Sequence, residues 1–207
     1  MDALRLFIAL PVRPDPPLRA LLGAWAAHRA WLKPVAPEQL HVTLRFLGLC
    51  PAERVPALGQ AIDRAVRAAG VPAVVLPFAG LAGLPPGGGR PLRVLYADLA
   101  DAAPIAALAA RLDDALAALE PPVARRDRAF RAHLTLARVK GSAVRRRSGK
   151  MPDPAPAARR LLATHADADL GRFRADMVHL IASRLTPAGP VHRTLHAVPL
   201  SARAGRA

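Results

Sequence analysis

Short apolar runs recur along the chain and predict buried strands. They lie at residues 4–10, 71–81, 92–99, 175–185 and 194–200. The first run, LRLFIAL, contains an aromatic residue and stops at Pro11, which favours a strand over a helix. Strands are therefore expected from one end of the chain to the other.

Three stretches between these runs carry apolar residues at helical spacing. The residues are Leu18, Leu21, Leu22, Trp25 and Leu32, then Val55, Leu58, Ile62 and Val66, then Ile105, Leu108, Leu112, Leu116 and Leu119. Such spacing places each set on one side of a helix, and Gly70 is suited to cap the second helix. Segments 83–91 and 141–160 are rich in glycine, proline or basic residues without a period and predict loops. Interspersed helices and short strands favour an α+β fold with antiparallel or mixed sheets.

Two further strand-like segments share a motif. EQLHVTLRFLG, at 38–48, and FRAHLTLARVKG, at 130–141, both contain His-x-Thr-Leu, and their histidines are 92 positions apart. The preceding strand and helix recur at nearly the same offset. An internal duplication, approximately 4–82 and 92–200, is the simplest explanation, and it predicts a single bilobal domain over residues 1–207.

Strand geometry places the polar residues of each motif together, because residues i and i+2 point to the same face. One face of the first motif carries His41, Thr43 and Arg45 on this rule, and the opposite face carries Val42, Leu44 and Phe46. His133 and Thr135 likewise share a face of the second motif. If the two lobes pack around a pseudo-two-fold axis, both polar pairs converge on one cleft.

Two imidazoles and two hydroxyls in one cleft suit displacement at a phosphodiester. Imidazole gives or takes a proton near neutral pH, and this reaction needs a base for the attacking water and an acid for the departing sugar oxygen. Hydroxyl groups can donate hydrogen bonds to the non-bridging phosphate oxygens. The scheme requires no metal ion and no cofactor.

The composition of the chain bears on its binding partner and on its cellular compartment. The formal net charge is +15, and 27 of the 30 basic residues are arginines, which makes nucleic acid a fair candidate although codon bias could also produce this excess. Cys50 is the single cysteine, so an intrachain disulfide is excluded and a reducing compartment is expected. We find no apolar run of membrane-spanning length and no secretion signal. The cytoplasm is the expected location, without membrane association.

The two motifs with their flanks resemble the 2H (two-histidine) phosphoesterase superfamily, in particular its bacterial RNA 2′,3′-cyclic phosphodiesterase or 2′-5′ RNA ligase branch. The opening RLFIALP and the closing LIASRLTPAGPVHRTL add to the likeness, which spans residues 5–200. The resemblance implies a bilobal α+β fold with helices outside and a cleft between the lobes. It also implies metal-independent hydrolysis of RNA 2′,3′-cyclic phosphate ends to a 2′-phosphate and a weakly reversible ligation. No obligate protein partner is expected.

The resemblance also assigns roles to residues. It implies His41 as the proton donor, His133 as the proton acceptor, and Thr43 and Thr135 as their motif partners. Arg138 matches a phosphate-binding arginine, although strict alternation points it away from His133 unless a bulge redirects it. We add Arg45 and Phe46 as candidate substrate-binding residues. His192 stands where relatives commonly have a tyrosine.

Two other functions fit the same residues. A 2H esterase could act on a small cyclic phosphate or on a 2′-5′ linkage. Alternatively, a non-catalytic module could bind RNA or a nucleotide in the same cleft. Intact His-x-Thr pairs in both motifs favour an enzyme over the binding module.

Overall fold

A computed structural model describes residues 2–86, 91–127, 129–140, 154–187 and 189–200. Within these ranges the chain forms nine strands and four helices. The strands are β1 (Ala3–Pro11), β2 (Leu32–Pro34), β3 (His41–Pro51), β4 (Val74–Leu84), β5 (Val94–Leu99), β6 (His133–Val139), β7 (Arg172–Ala175), β8 (Met177–Thr186) and β9 (Gly189–Pro199). The helices are α1 (Pro16–Trp25), α2 (Val55–Ala69), α3 (Ala103–Ala117) and α4 (Ala155–Thr164).

The helices bury the apolar faces that the sequence predicts. Helix α2 buries Leu58, Ile62 and Val66, and it ends at Gly70, which adopts the left-handed conformation with φ 56°. The backbone N–H of Gly70 donates to carbonyls of the last turn, and glycine accepts this conformation without steric cost. The amphipathic pattern thus locates this helix and its end correctly.

Two elements differ from the predicted boundaries. The first helix ends at Trp25, and Leu32, expected on the same helix, lies in the short strand β2. Helix α4 occupies the end of the predicted 141–160 loop because Ala155, Ala158 and Leu161 form a buried face. The rest of that predicted loop, residues 141–153, lies outside the described residues.

Every strand pairing in the described part of the chain is antiparallel. The strands follow the order β7-β4-β5-β6-β3-β1-β8-β9, and β2 pairs with the end of β6. The expected α+β class is confirmed, with an antiparallel rather than a mixed sheet. The order has a centre at the β6–β3 junction, with four strands on each side.

Each side of the sheet combines strands from both halves of the chain. Strand β4, from the first half, pairs with β5 and β7 of the second half. Strand β8, from the second half, pairs with β1 of the first half. The fourth strand of each half of the chain is therefore exchanged into the part of the sheet that the other half forms.

One large hydrophobic cluster holds both sides together. Residues from β1, β5 and β6, including Ile8, Leu95 and Leu134, belong to the same buried cluster as the helices. The Cys50 side chain is a free, buried thiol. Among the described residues we find no helix with the length and apolarity needed to span a membrane.

Candidate active site

The two His-x-Thr motifs meet where β3 and β6 pair. The contact joins Val42 of β3 to Leu134 of β6, and both side chains are fully buried on the core face. Neighbouring side chains point to the other face. Those side chains are His41, Thr43, His133 and Thr135. Continuing the antiparallel register places each histidine beside the threonine of the other motif, so the expected convergence is present in the fold.

The two histidines make the same hydrogen bond. Nδ1 of His41 lies 2.7 Å from the carbonyl oxygen of Gln39, and Nδ1 of His133 lies 2.8 Å from that of Arg131. Because a carbonyl can only accept, each Nδ1 carries the proton and donates it. The neutral ring then presents an unprotonated Nε2. Both imidazoles are thus held in the tautomer that exchanges a proton through Nε2.

Burial lowers the pKa of His41 below its usual value of 6.5, because removal from water disfavours the charged imidazolium. The hydrogen bond to Gln39 raises the pKa and opposes this effect. Positive charge on His192, Arg138 and His133 lowers it further. The strand register independently places His133 near His41, because Val42 pairs with Leu134.

A bulge in β6 turns Arg138 toward this site. The pairing of β5 with β6 shifts between Leu95 and Tyr96, so that Leu136 and Ala137 are both buried in succession. The next residue, Arg138, is exposed. The extra residue reverses the alternation, so Arg138 emerges on the face of the histidine, as the resemblance requires.

A matching bulge in β3 overturns two predicted orientations. Leu44 and Arg45 are buried in succession, and Phe46 is 72% exposed. The expectation that Arg45 shares the face of His41 is wrong, and so is the expectation that Phe46 points away from it. Arg45 is only 8% exposed; its guanidinium pairs with Asp113 of α3 at 3.4 Å and donates to the carbonyl of Ala124.

Aromatic rings surround His41. The Phe7 ring centre lies 4.9 Å from that of His41 and 6.2 Å from that of Phe46. His192 of β9 lies edge-on to His41 at 5.5 Å and to Phe7 at 5.2 Å. Burial also lowers the pKa of His192. His192, which stands where relatives commonly have a tyrosine, therefore places a third imidazole beside the first motif.

The surroundings of His133 include a residue that the sequence did not indicate. The Tyr96 ring lies edge-on to His133 at 5.3 Å. Burial raises the pKa of Tyr96, and Asp98 raises it further. Asp98 pairs at 2.6 Å with Arg131, whose carbonyl holds His133. The run around Tyr96 predicts a strand, but its pairing with β6 has no sequence signal, so the contact could not be predicted.

The site combines proton transfer with anion binding. Two Nε2 atoms can exchange protons, two hydroxyls can donate hydrogen bonds, and the Arg138 guanidinium supplies a permanent positive charge. No group of three or more metal-binding side chains occurs in the described ranges. The arrangement can hold a phosphate between an acid and a base.

Comparison with known proteins supports this chemistry. Residues 13–186 match the family model described as the 2′-5′ RNA ligase superfamily. The chain is also 29% identical over 198 residues to a protein of Archaeoglobus fulgidus named RNA 2′,3′-cyclic phosphodiesterase, covering 93% of this chain and 98% of that protein.

Solved structures share the fold. A protein of Thermus thermophilus, TT0787, is 26% identical and superposes with a TM-score of 0.70, covering 97% of this chain and 100% of that one. The LigT protein of E. coli, in its apo form, is 22% identical with a TM-score of 0.64, covering 97% of this chain and 99% of that one. The chain therefore shares its architecture with TT0787 and LigT over nearly its whole length.

Proposed function

Because the chain belongs to the 2′-5′ RNA ligase superfamily, we propose that it hydrolyses 2′,3′-cyclic phosphate ends of RNA to 2′-phosphates without a metal ion. The family match and the curated relative confirm the resemblance to the 2H phosphoesterases and identify the protein as an enzyme of phosphodiester hydrolysis. The RNA end, the product and the roles of individual residues belong to the proposal.

The observation that carries the proposal is the pair of equivalent hydrogen bonds, one on each side of the β3–β6 junction. Gln39 and Arg131 hold His41 and His133 in the same tautomer, with Nε2 ready for proton transfer. Opening a cyclic phosphate needs one base and one acid at the same phosphorus. Two like-oriented imidazoles on one face supply both.

In the proposed reaction, His133 accepts a proton from the attacking water through Nε2. His41 donates a proton to the 3′ oxygen as its bond to phosphorus breaks, which leaves the phosphate on the 2′ oxygen. Thr43 and Thr135 donate hydrogen bonds to the non-bridging oxygens, where charge is held in the transition state. Arg138 neutralises the phosphate charge, and the exposed Phe46 ring stacks on the terminal base.

The lowered pKa of His41 in the free enzyme is compatible with its role as the acid. A cyclic phosphodiester carries a negative charge, and an adjacent negative charge favours the protonated imidazole. Substrate binding therefore opposes the effects of burial and neighbouring cations on His41. The proton is taken up as the complex forms.

The same groups can act when a 5′-hydroxyl of another strand attacks the cyclic phosphate in place of water, because His133 then accepts the proton of that hydroxyl and His41 again donates one to the 3′ oxygen. Microscopic reversibility exchanges these two roles when the resulting 2′-5′ bond is cleaved. A weak 2′-5′ ligation belongs to the proposal for this reason.

The cytoplasm also remains our proposed compartment, because the buried Cys50 is a free thiol.

The proposal is tested by product analysis on an RNA oligonucleotide that ends in a 2′,3′-cyclic phosphate, with excess chelator present. We expect turnover and a product that carries only a 2′-phosphate. A 3′-phosphate product would contradict the assigned leaving group. Tight binding without turnover would establish the non-catalytic module, and turnover confined to small cyclic phosphates or 2′-5′ linkages would establish the other esterase.

A further inference from the structure

A second cavity lies beside the proposed active site. It measures about 700 Å³, is open to solvent and is lined by residues of α1, the turn that follows it, β2, residues 35–38, Lys140 and Pro187. Its charged lining residues are Arg19, Arg29, Lys33, Lys140 and Glu38. Four cations against one carboxylate make this a basic cavity, which suits an anionic ligand.

Strand pairing connects the cavity to the active site. Lys33 of β2 pairs with Arg138 of β6, and Leu32 pairs with Val139. Leu32 and Val139 are buried, so Lys33 and Arg138 leave the sheet on the opposite face, which is the face of the histidines. The basic cavity therefore includes Lys33, the strand neighbour of the arginine that we assign to the reacting phosphate.

One wall of the cavity is formed by the segment that also holds the His41 ring by a hydrogen bond. Glu38 lines the cavity, and the carbonyl of the next residue, Gln39, accepts the hydrogen bond from His41. The Gln39 side chain donates to the carbonyl of Pro190 at 2.8 Å, which ties this wall to β9. The cavity and the active site are thus adjacent compartments that share one segment of backbone.

Antiparallel pairing sets the direction of a bound strand. Phe46 and Arg138 follow their histidines by five residues, but β3 and β6 run in opposite directions. They consequently lie at opposite ends of the β3–β6 junction. When the base of the terminal nucleotide lies at Phe46, the rest of the RNA can extend past the Arg138 end of the junction toward the cavity.

We propose that this cavity binds the backbone phosphates of the RNA on the 5′ side of the terminal cyclic phosphate. Arginine guanidinium groups match the geometry of phosphate oxygens, and their attraction to a polyanion is independent of sequence. The enzyme then distinguishes an RNA end from a free cyclic nucleotide by contacts outside the reacting nucleotide. This inference rests on the proposed function.

The test compares a short RNA with a 2′,3′-cyclic end and the mononucleotide 2′,3′-cyclic AMP as substrates. The variant R19E/R29E reverses two charges of the cavity on elements that carry no motif residue. The matched control, R64E/R67E, makes the same change in net charge on the exposed side of α2, which packs on the core face of the sheet. Arg29→Gln is a milder variant: the backbone carbonyl of Arg29 accepts from Lys140, and the substitution leaves that carbonyl in place.

We expect R19E/R29E to lower kcat/KM for the RNA by about tenfold or more, mainly through KM, with turnover of the mononucleotide as in the parent enzyme. Each lost phosphate contact should also reduce the slope of log(kcat/KM) against log[salt] by about 0.7. Arg29→Gln should show the same pattern to a smaller degree, and R64E/R67E should not show it.

Equal effects of R19E/R29E and R64E/R67E on the RNA would overturn the inference, because net charge would then explain them. So would unchanged RNA kinetics in R19E/R29E or, should that variant not fold, in Arg29→Gln. In each of these cases, hydrolysis of the cyclic-ended RNA by the parent enzyme would leave the proposed function standing. A parent enzyme that does not hydrolyse this RNA would instead contradict the proposed function itself.

Discussion

At the scale of single residues, His41 and His133 have the same hydrogen bond but different surroundings. His41 lies among Phe7 and His192, and burial lowers its pKa. His133 lies against Tyr96 on a more exposed edge. A base and an acid need different environments at one pH, so this asymmetry within a duplicated site is what separate roles require.

The assignment of the acid can be tested with a modified leaving group. A cyclic-ended RNA with sulfur in place of the 3′ oxygen loses a thiolate, which departs without a proton. We expect His41→Asn to lose about 10² to 10⁴-fold in rate on the natural substrate and to recover most of that loss on the thio substrate, whereas His133→Asn should not recover. Rescue of His133→Asn alone would reverse the two roles.

The pH dependence of kcat/KM should report the neighbours of His41. As the acid, His41 must begin protonated, so activity falls as the pH rises through its pKa, which lies below 6.5. Burial is the main cause of this lowering, and Arg138 adds to it. Arg138→Gln removes the positive charge and should move the basic limb to higher pH, in addition to weakening phosphate binding.

Arg138→Lys is the matched control, because it keeps the charge and should leave the basic limb in place. The measurement is the kcat/KM profile of the three proteins on one substrate. A limb that stays fixed or moves to lower pH in Arg138→Gln would contradict the assignment of that limb to His41.

At the scale of elements, the bulges in β3 and β6 decide which side chains reach the site. Alternation correctly placed His41 with Thr43 and His133 with Thr135, because each pair precedes its bulge. Alternation placed Arg45 on the wrong face, and it did not give the correct faces of the residues that follow Thr135. A bulge depends on how a strand pairs with its neighbour, and a single strand sequence does not carry that information.

The buried position of Arg45 predicts a structural role. Asp113 pairs with Arg45 and also with Arg126, whose side chain donates to the carbonyl of Leu44. Asp113→Ala removes the carboxylate that balances the buried positive charge of Arg45 and should reduce the free energy of unfolding by about 3–5 kcal/mol. Arg45→Met should also destabilise the protein while leaving kcat/KM of the folded enzyme near that of the parent.

Urea unfolding and steady-state kinetics on the same preparations provide the measurement. Arg125→Ala is the matched control, because its ion pair with Asp114 is exposed and contributes about 0–1 kcal/mol. If Arg45→Met were to lose activity with unchanged stability, Arg45 would act on the substrate after all.

At the scale of the whole molecule, the site depends on both halves of the chain. The exchanged strands β4 and β8 tie each half of the chain to the other, and the Val42–Leu134 pair joins the two sides of the sheet at the motifs. The α+β class and the three amphipathic helices could be predicted from the sequence, because they follow from local periodicity, whereas the internal duplication stays a prediction.

The exchange of strands, the short strand β2 and helix α4 could not be predicted. Which strands pair is decided by long-range packing, and Leu32 satisfies the helical spacing of the preceding segment equally well. The basic cavity beside Lys33 follows from these unpredicted elements. The cavity could not be predicted from the sequence for the same reason, because it depends on long-range packing.

In the proposed reaction, two histidines from opposite halves of the chain act on one phosphate. The decisive measurement is the rate at which the parent enzyme, His41→Asn, His133→Asn and the double variant open a cyclic-ended RNA in excess chelator. We expect each single substitution to cost about 10² to 10⁴-fold, and the double variant to be little slower than the slower single, because both groups serve the same step. A single variant that retains the parent rate, or a double variant whose loss is the product of the two single losses, would contradict the claim.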